Sequence, residues 1–390
     1  MLVFTSITKS YLPKARTLAI SIKRFHPDWH FVLLFSDSLP HGFNIIDEPF
    51  DEILLAQDLN IPNFKSWIFC HSIVELCTAT KAIAAAFLAK RKKVTKIMYL
   101  DPDIKVFNSL AWVQEKLDNY DIALTPHLLD PETDLLAIQN NEISVLKHGV
   151  FNLGFFAAKT SGQGLQFINW WSQRLEKFCR DDIPNGLFTD QRWCDLAPAF
   201  FDNLLIIRDR GFNVATWNIT HRALSKTTND DILAGDSTLR FYHFTGFDSG
   251  AGYDALMNYA PNQIVAHEIW NEYKNDLIKH GELEKSFHWA YDSFDNGVII
   301  PKEARRLYRD SADLQKQFPD PFDTKVNNNG FYGWWTNNKT SGVRFIFLSF
   351  KKWVNEPRCF IADIRLLYYI FKKNGLCDLL IKVLIKLKGR

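Results

Sequence analysis

The sequence predicts an α/β protein with a mostly parallel sheet flanked by helices. The chain opens on a strand–helix–strand order, with LVFT at residues 2–5, a helical pattern over residues 12–25, and HFVLLFSD at residues 30–37. Both strand candidates are continuous apolar runs, which are typical of parallel strands that helices cover on both faces. The helix is predicted because its apolar residues recur three and four positions apart, and Pro27 ends it.

Further elements continue this alternation. A long helix is predicted over residues 72–92, where TATKAIAAAFLAK is rich in strong helix formers. The next strand is KIMYL, which ends at an acidic pair. The remaining strand candidates are DIALTPH at 121–127, VFNLGFFAA at 150–158, NLLIIRD at 203–209 and LRFYHF at 239–244.

Composition excludes several classes of protein. The 46 basic and 44 acidic residues nearly cancel, so the overall charge does not favour nucleic acid as a partner. The six cysteines form no CxxC pair, and we expect buried thiols in a reducing compartment rather than a disulfide framework or a zinc site. No apolar run reaches the roughly 18 residues of a membrane-spanning helix, and the N-terminal MLVFTSITKSY lacks the features of a signal peptide. The default location is therefore cytoplasmic.

The chain divides by composition into three regions. Residues 1–295 carry the α/β pattern and are predicted to be the catalytic domain. Residues 296–343 combine a polar helix, PKEARRLYRDSADLQKQF, with a segment rich in Asn, Gly and Pro, and are predicted to be a helix and loop linker. Residues 344–390 are predicted to be a basic amphipathic helical segment that also carries aromatic residues.

That last segment has a charge unlike the rest of the chain. It holds eleven Lys or Arg residues and three Asp or Glu residues, a net charge of +8 in a chain whose total is +2. A basic amphipathic helix with aromatic residues can lie on an anionic membrane surface, to which each basic residue contributes about 1 kcal/mol. The alternative is a helical layer that docks on the catalytic domain with its lysines in water. We expect a cytoplasmic protein that is peripheral on the inner face of the cytoplasmic membrane.

Asp101 and Asp103, in the run IMYLDPDIKVF, are the strongest candidates for chemistry. They follow a buried strand, and open α/β sheets bind ligands beyond the carboxyl ends of their strands. In an extended segment, residues i and i+2 point the same way, so both carboxylates can face one crevice. Two hard oxygen ligands suit Mn²⁺ or Mg²⁺, which would neutralise charge on a diphosphate leaving group.

Two other interpretations of this pair stay open. Two Asp residues after a strand can simply form a polar turn. A phosphotransferase of the haloacid-dehalogenase type also carries an apolar strand followed by DxD, but its motif usually continues with Thr and a Gly-containing context. Ile104 and Lys105 follow the pair here, which disfavours that class.

Six segments follow one another along the chain: VFTSITKSYLPKA, ELCTATKAIAAAFL, IMYLDPDI, FNLGFFAAK, FTDQRW and FYHFTGFD. Taken in this order, they resemble the retaining family 8 glycosyltransferases and their bacterial relatives, which have the GT-A fold. They cover roughly residues 1–250. The resemblance implies a GT-A type Rossmann-like sheet and transfer of a hexose from a UDP-sugar donor to the hydroxyl of a glycan or lipid-linked glycan acceptor.

The resemblance also implies donor contacts. It places Thr5, Ser6 and Tyr11 in the first strand and the loop that cradles the nucleotide, and Lys81 on a helix whose basic residue contacts the donor. Asn152 and Gly154 would lie near the sugar, where glycine permits close approach of the backbone. Without the resemblance, each of these residues has an ordinary structural interpretation.

For the reaction centre, the resemblance implies that Asp190 binds hydroxyls of the donor sugar and that Gln191 lies near the anomeric carbon. His243 would complete the metal site with Asp101 and Asp103, and an imidazole ligand favours Mn²⁺ somewhat over Mg²⁺. Gly246 would lie near the phosphates.

One departure concerns the last segment. The family commonly continues with Lys and Pro-Trp after the glycine, whereas Phe247, Asp248 and Ser249 follow here. The lysine contact to the diphosphate is then absent, or is supplied by Lys81 or Arg240. The segment GFNVATWNITHR at 211–222 is a further source of cleft residues, namely Trp217, Asn218 or His221.

Overall fold

The computed structural model describes residues 1–281 and 288–339. The described residues divide into two compact units, one formed by Met1–Ser293 with Ile299–Ala312 and the other by Phe294–Val298 with residues 313–339. Among the described residues, no helix is both long and apolar enough to cross a bilayer. The predicted segment 344–390 lies outside the described residues.

The strands of the described residues are β1 (Leu2–Ile7), β2 (His30–Phe35), β3 (Glu52–Leu55), β4 (Lys96–Leu100), β5 (Ile104–Val106), β6 (Ile122–Pro126), β7 (Phe151–Lys159), β8 (Asp181–Asp182), β9 (Leu187–Phe188), β10 (Leu204–Ile206), β11 (Leu224–Lys226), β12 (Ile232–Ala234), β13 (Ser237–Thr238) and β14 (Phe241–His243). The predicted strands are all present, with ends that differ by a few residues, whereas β3, β5, β8, β9, β11, β12 and β13 were not predicted.

The helices are α1 (Leu12–Phe25), α2 (Phe64–Phe69), α3 (Ile73–Ala89), α4 (Ala111–Asn119), α5 (Leu135–Ala137), α6 (Ile143–His148), α7 (Gly162–Phe178), α8 (Gln191–Cys194), α9 (Ala197–Phe200), α10 (Ala251–Tyr259), α11 (Ile264–Lys279), α12 (Lys302–Arg309), α13 (Ala312–Gln317) and α14 (Gly330–Lys339). A π-helical turn, Ile138–Glu142, joins α5 to α6.

The central sheet has seven strands in the order β10-β6-β7-β4-β1-β2-β3. Every neighbouring pair is parallel except the two that involve β7, which runs antiparallel to both β4 and β6. The predicted mostly parallel sheet flanked by helices is therefore confirmed. The antiparallel β7 has a functional consequence, because it brings the middle of its own sequence beside the end of β4.

The sheet is buried on both faces, as its continuous apolar strands predict. Successive residues of β1 point to opposite sides, so Phe4 packs in one hydrophobic cluster and Val3 in the other. The first cluster includes residues of α3 and α7, and the second includes residues of α1 and α4. α3 begins with a capping box, in which the Ser72 side chain accepts from Glu75 N and the Glu75 carboxylate accepts from Ser72 N.

A second, small sheet lies beyond the end of β4. β5 pairs with β14 in antiparallel register, so that Ile104 lies opposite His243 and Val106 lies opposite Phe241. The sequence separates these two strands by more than a hundred residues. Their pairing decides which side chains reach the loop between β4 and β5.

The C-terminal part of the described chain differs from the predicted helix and loop linker. The polar helix is two helices, and α12 lies within the first compact unit, where the Arg305 guanidinium donates to Phe69 O and His71 O. The loop predicted for the Asn- and Gly-rich stretch is wrong at its end, where α14 forms. Phe331 and Trp335 recur four residues apart on this helix and are both buried, which gives it a hydrophobic face.

Candidate active site

A cleft of about 560 Å³ opens where β1 and β4 end and where α3 begins. Most of the residues that the sequence assigns to the site line it: Ser6, Tyr11, Lys81, Asp101, Asp103, Asn152, Gly154, Asp190, Gln191 and His243. A cleft beyond the carboxyl ends of parallel strands is the place where open α/β sheets bind ligands.

Asp101 and Asp103 lie in the turn between β4 and β5. Ile104 N donates to Asp101 O at 3.1 Å, so residues 101–103 turn rather than continue the strand. The two carboxylates therefore converge because the backbone turns, and the expectation of an extended segment with i, i+2 side chains was wrong in this detail. Tyr99, two residues before the turn, donates its hydroxyl to Asp101 Oδ1 at 2.6 Å.

His243 reaches this turn through the register of the small sheet. Its Nε2 lies 3.1 Å from Asp103 Oδ1 and 3.8 Å from Asp101 Oδ2. One ligand atom from each of the three side chains lies within 4.8 Å of the others, which makes a compact cluster of two carboxylates and one imidazole.

Burial and mutual charge interactions shift the pKa values of all three side chains in the cluster. Burial raises the pKa of Asp101 above its usual range, although Lys81 and His243 act against it. At Asp103 burial acts in the same direction, but the charge and hydrogen bond of His243 outweigh it and lower the pKa. Burial lowers the pKa of His243, and Asp103 with Asp101 more than offsets this, so that the net change is upward.

Gly154 leaves room for this cluster. Its carbonyl accepts from Asp101 N at 2.8 Å, because β7 runs antiparallel beside β4. A Cβ at this position would lie 2.5 Å from His243 Cε1, 2.7 Å from Asn152 Oδ1 and 2.9 Å from Asp101 Oδ2. These distances are all shorter than real contacts, so only glycine fits here without displacing the cluster.

The three side chains fit a divalent cation. Carboxylate oxygens suit Mg²⁺ and Mn²⁺, and an imidazole nitrogen suits Mn²⁺ better. Gly154 has no Cβ, so no side chain at this position of β7 enters the space beside Asp101 and His243. The three side chains would supply three of the ligands, and water and phosphate oxygens would supply the others.

A second charged group lies deeper in the cleft. Lys81 Nζ is 2.6 Å from Asp190 Oδ2 and 3.9 Å from Asp101 Oδ1, and it donates to Leu153 O at 2.9 Å. The lysine is only 3% exposed and Asp190 only 2%. Burial lowers the pKa of Lys81, but the two carboxylates outweigh it and the net change is upward. Lys81 is therefore a buried cation that links Asp190 to the edge of the cluster formed by Asp101, Asp103 and His243.

Gln191 is held by the backbone and by Asn152. Its Oε1 accepts from Asn152 Nδ2 and from Leu153 N, both at 3.3 Å, and its Nε2 donates to His148 O at 3.3 Å. The residue begins α8, directly after Asp190. Gln191 thus lines the cleft while joining α8 to β7.

The other end of the cleft contains the residues predicted to contact the nucleotide. Ser6 lies on β1 and donates to Cys77 O at 3.0 Å. Burial raises the pKa of Tyr11, and its hydrogen bond with Asp248 adds to this. Lys14, one turn further along α1, pairs with Asp248 at 2.6 Å and lies 4.2 Å from the centre of the Tyr11 ring. Asp248 is one of the three residues, with Phe247 and Ser249, that follow Gly246 in place of the Lys and Pro-Trp common in the family 8 pattern.

Two predicted residues do not line the cleft. Thr5 faces the core, fully buried, because alternation along β1 turns it away from Ser6. Gly246 adopts φ +68°, and a Cβ on it would lie 2.8 Å from Gly252 N. Glycine is therefore needed here for a tight turn. Thr245 lines the cleft beside it.

Among the further candidates, Trp217 lines the cleft and donates its Nε1 to His127 O at 3.2 Å. Asn218 is buried and bonds to backbone carbonyls, and His221 pairs with Glu132 at 3.2 Å. Arg240 donates to Ser109 O and Asn108 Oδ1. Neither His221 nor Arg240 lines the cleft.

The sequence did not reveal several residues of the site. His127 and His148 both line the cleft, and burial lowers the pKa of His127 to about 4, so its imidazole is neutral. Asn213 is 1% exposed and bonds to both Asn152 and His243. His127 is the last residue of the predicted strand at 121–127, so its position at a strand end was the available signal. No pattern in the sequence singles out Asn213.

Comparisons with known proteins place the chain among distant relatives. No known protein family has a sequence profile that matches it. The chain is 23% identical over 229 residues to the uncharacterized protein YfnF of Bacillus subtilis (strain 168), a match that covers 57% of this chain and 74% of YfnF. It is 21% identical over 249 residues to the uncharacterized protein YfnD of the same organism, covering 62% of this chain and 76% of YfnD.

Three of the similar solved structures are glycosyltransferases. The galactosyltransferase LgtC, in complex with donor and acceptor sugar analogues, has a TM-score of 0.42 and 15% identity over 72% of this chain and 96% of LgtC. Mouse xyloside xylosyltransferase 1 has a TM-score of 0.37 and 15% identity over 63% and 97% of the two chains. The glycosyltransferase GlyE of Streptococcus pneumoniae TIGR4 has a TM-score of 0.38 and 16% identity over 75% of this chain and 66% of GlyE.

Proposed function

We propose that this protein is a metal-dependent glycosyltransferase that moves a hexose from a UDP-sugar to an acceptor hydroxyl. The observation that carries the proposal is the cluster of Asp101, Asp103 and His243 in a cleft at the carboxyl ends of β1 and β4. Two carboxylates and an imidazole suit a divalent cation, and the cleft has room for a bulky ligand beside it. The motif order along the chain, which resembles that of the family 8 transferases, supports the same class.

Each end of the cleft would hold one part of the donor. Ser6 and Tyr11 would contact the nucleotide, and Asn152, Asp190 and Gln191 would contact the sugar. When bound, the cation neutralises charge that develops on the leaving diphosphate, which is the kind of electrostatic term that dominates such reactions. Lys81 would hold Asp190 oriented toward the sugar hydroxyls, since the two form a buried pair at 2.6 Å.

We propose that transfer retains the configuration of the anomeric carbon. The acceptor oxygen would bond to the anomeric carbon as the bond to the phosphate oxygen breaks, and the acceptor proton would pass to that phosphate oxygen on the same face. Gln191, a neutral amide already held by three hydrogen bonds, is a poor nucleophile. NMR of the product tests this step, and an inverted product would contradict retention.

For the acceptor, we propose a glycan or lipid-linked glycan in the synthesis of cell-surface polysaccharide or lipopolysaccharide. The net charge of +8 in residues 344–390 supports attachment to an anionic membrane on the cytoplasmic side. Binding of the full chain to vesicles of anionic phospholipid at low salt tests this. The expected outcome is binding that salt reverses, and a protein that stays in the supernatant at low salt contradicts it.

A donor screen tests the function itself. UDP-, GDP- and dTDP-sugars are incubated with the full chain and Mn²⁺, and donor hydrolysis is followed. We expect hydrolysis of a UDP-hexose that chelation of the metal abolishes. Release of phosphate from phosphoesters without any nucleotide would instead indicate the phosphotransferase, and sugar binding without turnover would indicate an inactive carbohydrate-binding protein.

A further inference from the structure

Behind the metal cluster lies a row of hydrogen-bonded side chains that runs from β7 to His243. Asn213 occupies its centre, 1% exposed and in the left-handed region at φ 54°. Its Nδ2 lies 2.9 Å from Thr125 Oγ1 and 3.0 Å from Asn152 Oδ1, and its Oδ1 lies 3.2 Å from His243 Nδ1.

The orientation of the Asn213 amide follows from hydrogen-bond accounting. Asn152 Oδ1 accepts from Gly154 N at 3.0 Å, while Asn152 Nδ2 donates to Gln191 Oε1 at 3.3 Å and lies 3.1 Å from His127 Nε2. The atom of Asn213 that faces Asn152 Oδ1 must therefore be a donor. An amide has its nitrogen on one side only, so the atom that faces His243 is the oxygen, an acceptor.

An acceptor at this point decides the tautomer of His243. Nδ1 must carry a proton to donate to Asn213 Oδ1, and a neutral imidazole carries only one proton. The proton that Nε2 shares with Asp103 is then the one that a bound cation would displace, which leaves the lone pair on Nε2, the nitrogen that lies 3.1 Å from Asp103 and 3.8 Å from Asp101. Hydrogen bonds of this kind to the second nitrogen commonly orient metal-binding histidines.

We propose that Asn213 is a positioning residue that presents His243 Nε2 to the divalent cation. It does so by accepting the Nδ1 proton, with its own orientation dictated by Asn152 on β7. The inference rests on the proposed function only in that the cluster binds a divalent cation, and it requires no particular donor or acceptor.

The test measures Mn²⁺ affinity of the full chain without any sugar, by the EPR signal of free Mn²⁺. Asn213→Gly removes the side chain and tolerates the left-handed backbone, and we expect Mn²⁺ to bind about 10- to 100-fold more weakly, the usual effect of removing such a partner. Asn213→Asp keeps an acceptor toward His243 but places a second acceptor against Asn152 Oδ1, so Mn²⁺ should bind it more weakly than the native protein and more tightly than Asn213→Gly. Thr125→Val is the matched control, because it removes a hydrogen bond of Asn213 that does not involve His243.

A double-mutant cycle separates positioning from general loosening of the fold. In a His243→Ala background, Asn213→Gly should change Mn²⁺ affinity by less than about twofold, since the group it acts through is gone. Nitrogen NMR of His243 in the Mg²⁺-loaded native protein should show the proton on Nδ1.

The outcomes distinguish this proposal from the proposed function. Native protein that binds no Mn²⁺ contradicts the metal site and both proposals with it. Native protein that binds Mn²⁺ while Asn213→Gly binds it equally well overturns only the role of Asn213. An equal loss in the His243→Ala background overturns it too. If Asn213→Gly does not fold, nitrogen NMR of His243 in the Mg²⁺-loaded native protein decides the matter, because a proton on Nε2 overturns the proposal.

Discussion

The cleft holds carboxylates at two places, Asp190 at its inner end and Asp101 with Asp103 at its outer end, and their surroundings differ. At the inner end, Asp190 is 2% exposed and has a cation of the protein beside it, with Lys81 Nζ at 2.6 Å. At the outer end, the side chains of Asp101 and Asp103 are 30% and 17% exposed and share one imidazole. The inner end is neutral by itself, whereas two carboxylates and one histidine leave negative charge that a divalent cation would balance.

On the proposed function, the outer end would bind the cation and the inner end would orient the donor sugar. Burying an ion pair costs desolvation that only close geometry offsets, and Lys81 Nζ and Asp190 Oδ2 lie at such a distance, 2.6 Å. Crowded carboxylates that keep some contact with water gain most from an added cation. Substitutions at the two ends should consequently affect different quantities, metal-dependent activity at one end and folding stability at the other.

The largest effect is expected from Asp103→Asn or Asp101→Asn. Either change removes a charged ligand, and loss of a metal's electrostatic assistance of several kcal/mol corresponds to a fall in transfer of about a thousandfold or more. Donor turnover with Mn²⁺ measures this, and the thermal midpoint should no longer rise on adding Mn²⁺. Asp118→Asn, at an exposed ion pair with Lys96 away from the cleft, is the control. Full metal-independent activity in either variant would contradict the assignment.

At the inner end, Lys81→Met should act first on stability. It leaves Asp190 buried without its cation, which typically costs about 3–5 kcal/mol of the free energy of unfolding. The double variant Lys81→Met with Asp190→Leu should recover most of that loss in chemical denaturation, because no buried charge remains. If the double variant is as unstable as the single one, the pair is not the reason for the loss.

Gly154→Ala tests the contact between β7 and the metal cluster. The added Cβ overlaps His243 and Asp101, and overpacking of this kind costs about 1–3 kcal/mol. We expect a moderate loss of stability and a larger loss of Mn²⁺ affinity, measured on the same preparation. Gly186→Ala serves as a comparison for backbone strain alone, since its Cβ meets nothing within 4 Å and its φ of +82° strains any side chain, whereas Gly154 has no positive φ. A Gly154→Ala protein that binds Mn²⁺ normally would show that the cluster can shift.

Gln191→Ala should give the smallest change in stability. Its three hydrogen bonds are all 3.3 Å long, and a neutral hydrogen bond contributes about 1 kcal/mol net. Stability should fall by about that amount, while Mn²⁺ affinity in the absence of donor stays unchanged. A large loss of Mn²⁺ affinity would mean that Gln191 supports Asn152 and, through it, the metal end.

Much of the fold was predictable because apolar runs and helix periodicity are local signals. α1 begins and ends at the predicted residues, and KIMYL is β4. The prediction was wrong where local signals favour a loop but packing decides otherwise, as at α14, whose Asn- and Gly-rich start precedes the buried Phe331 and Trp335. The extended course expected for residues 101–103 was also wrong, because Ile104 N bonds to Asp101 O and the chain turns at Pro102.

By itself the sequence determined the α/β class, the strand that presents Asp101 and Asp103, and the residue types from which a metal site can be built. Those depend on hydrophobic pattern and on the chemistry of single side chains. Only the tertiary structure decided that β7 runs antiparallel beside β4, that β5 pairs with β14 so that His243 meets Asp103, and that Asn213 bonds to the far side of that imidazole. These are contacts between residues far apart in the chain, and strand register and buried hydrogen bonds decide them.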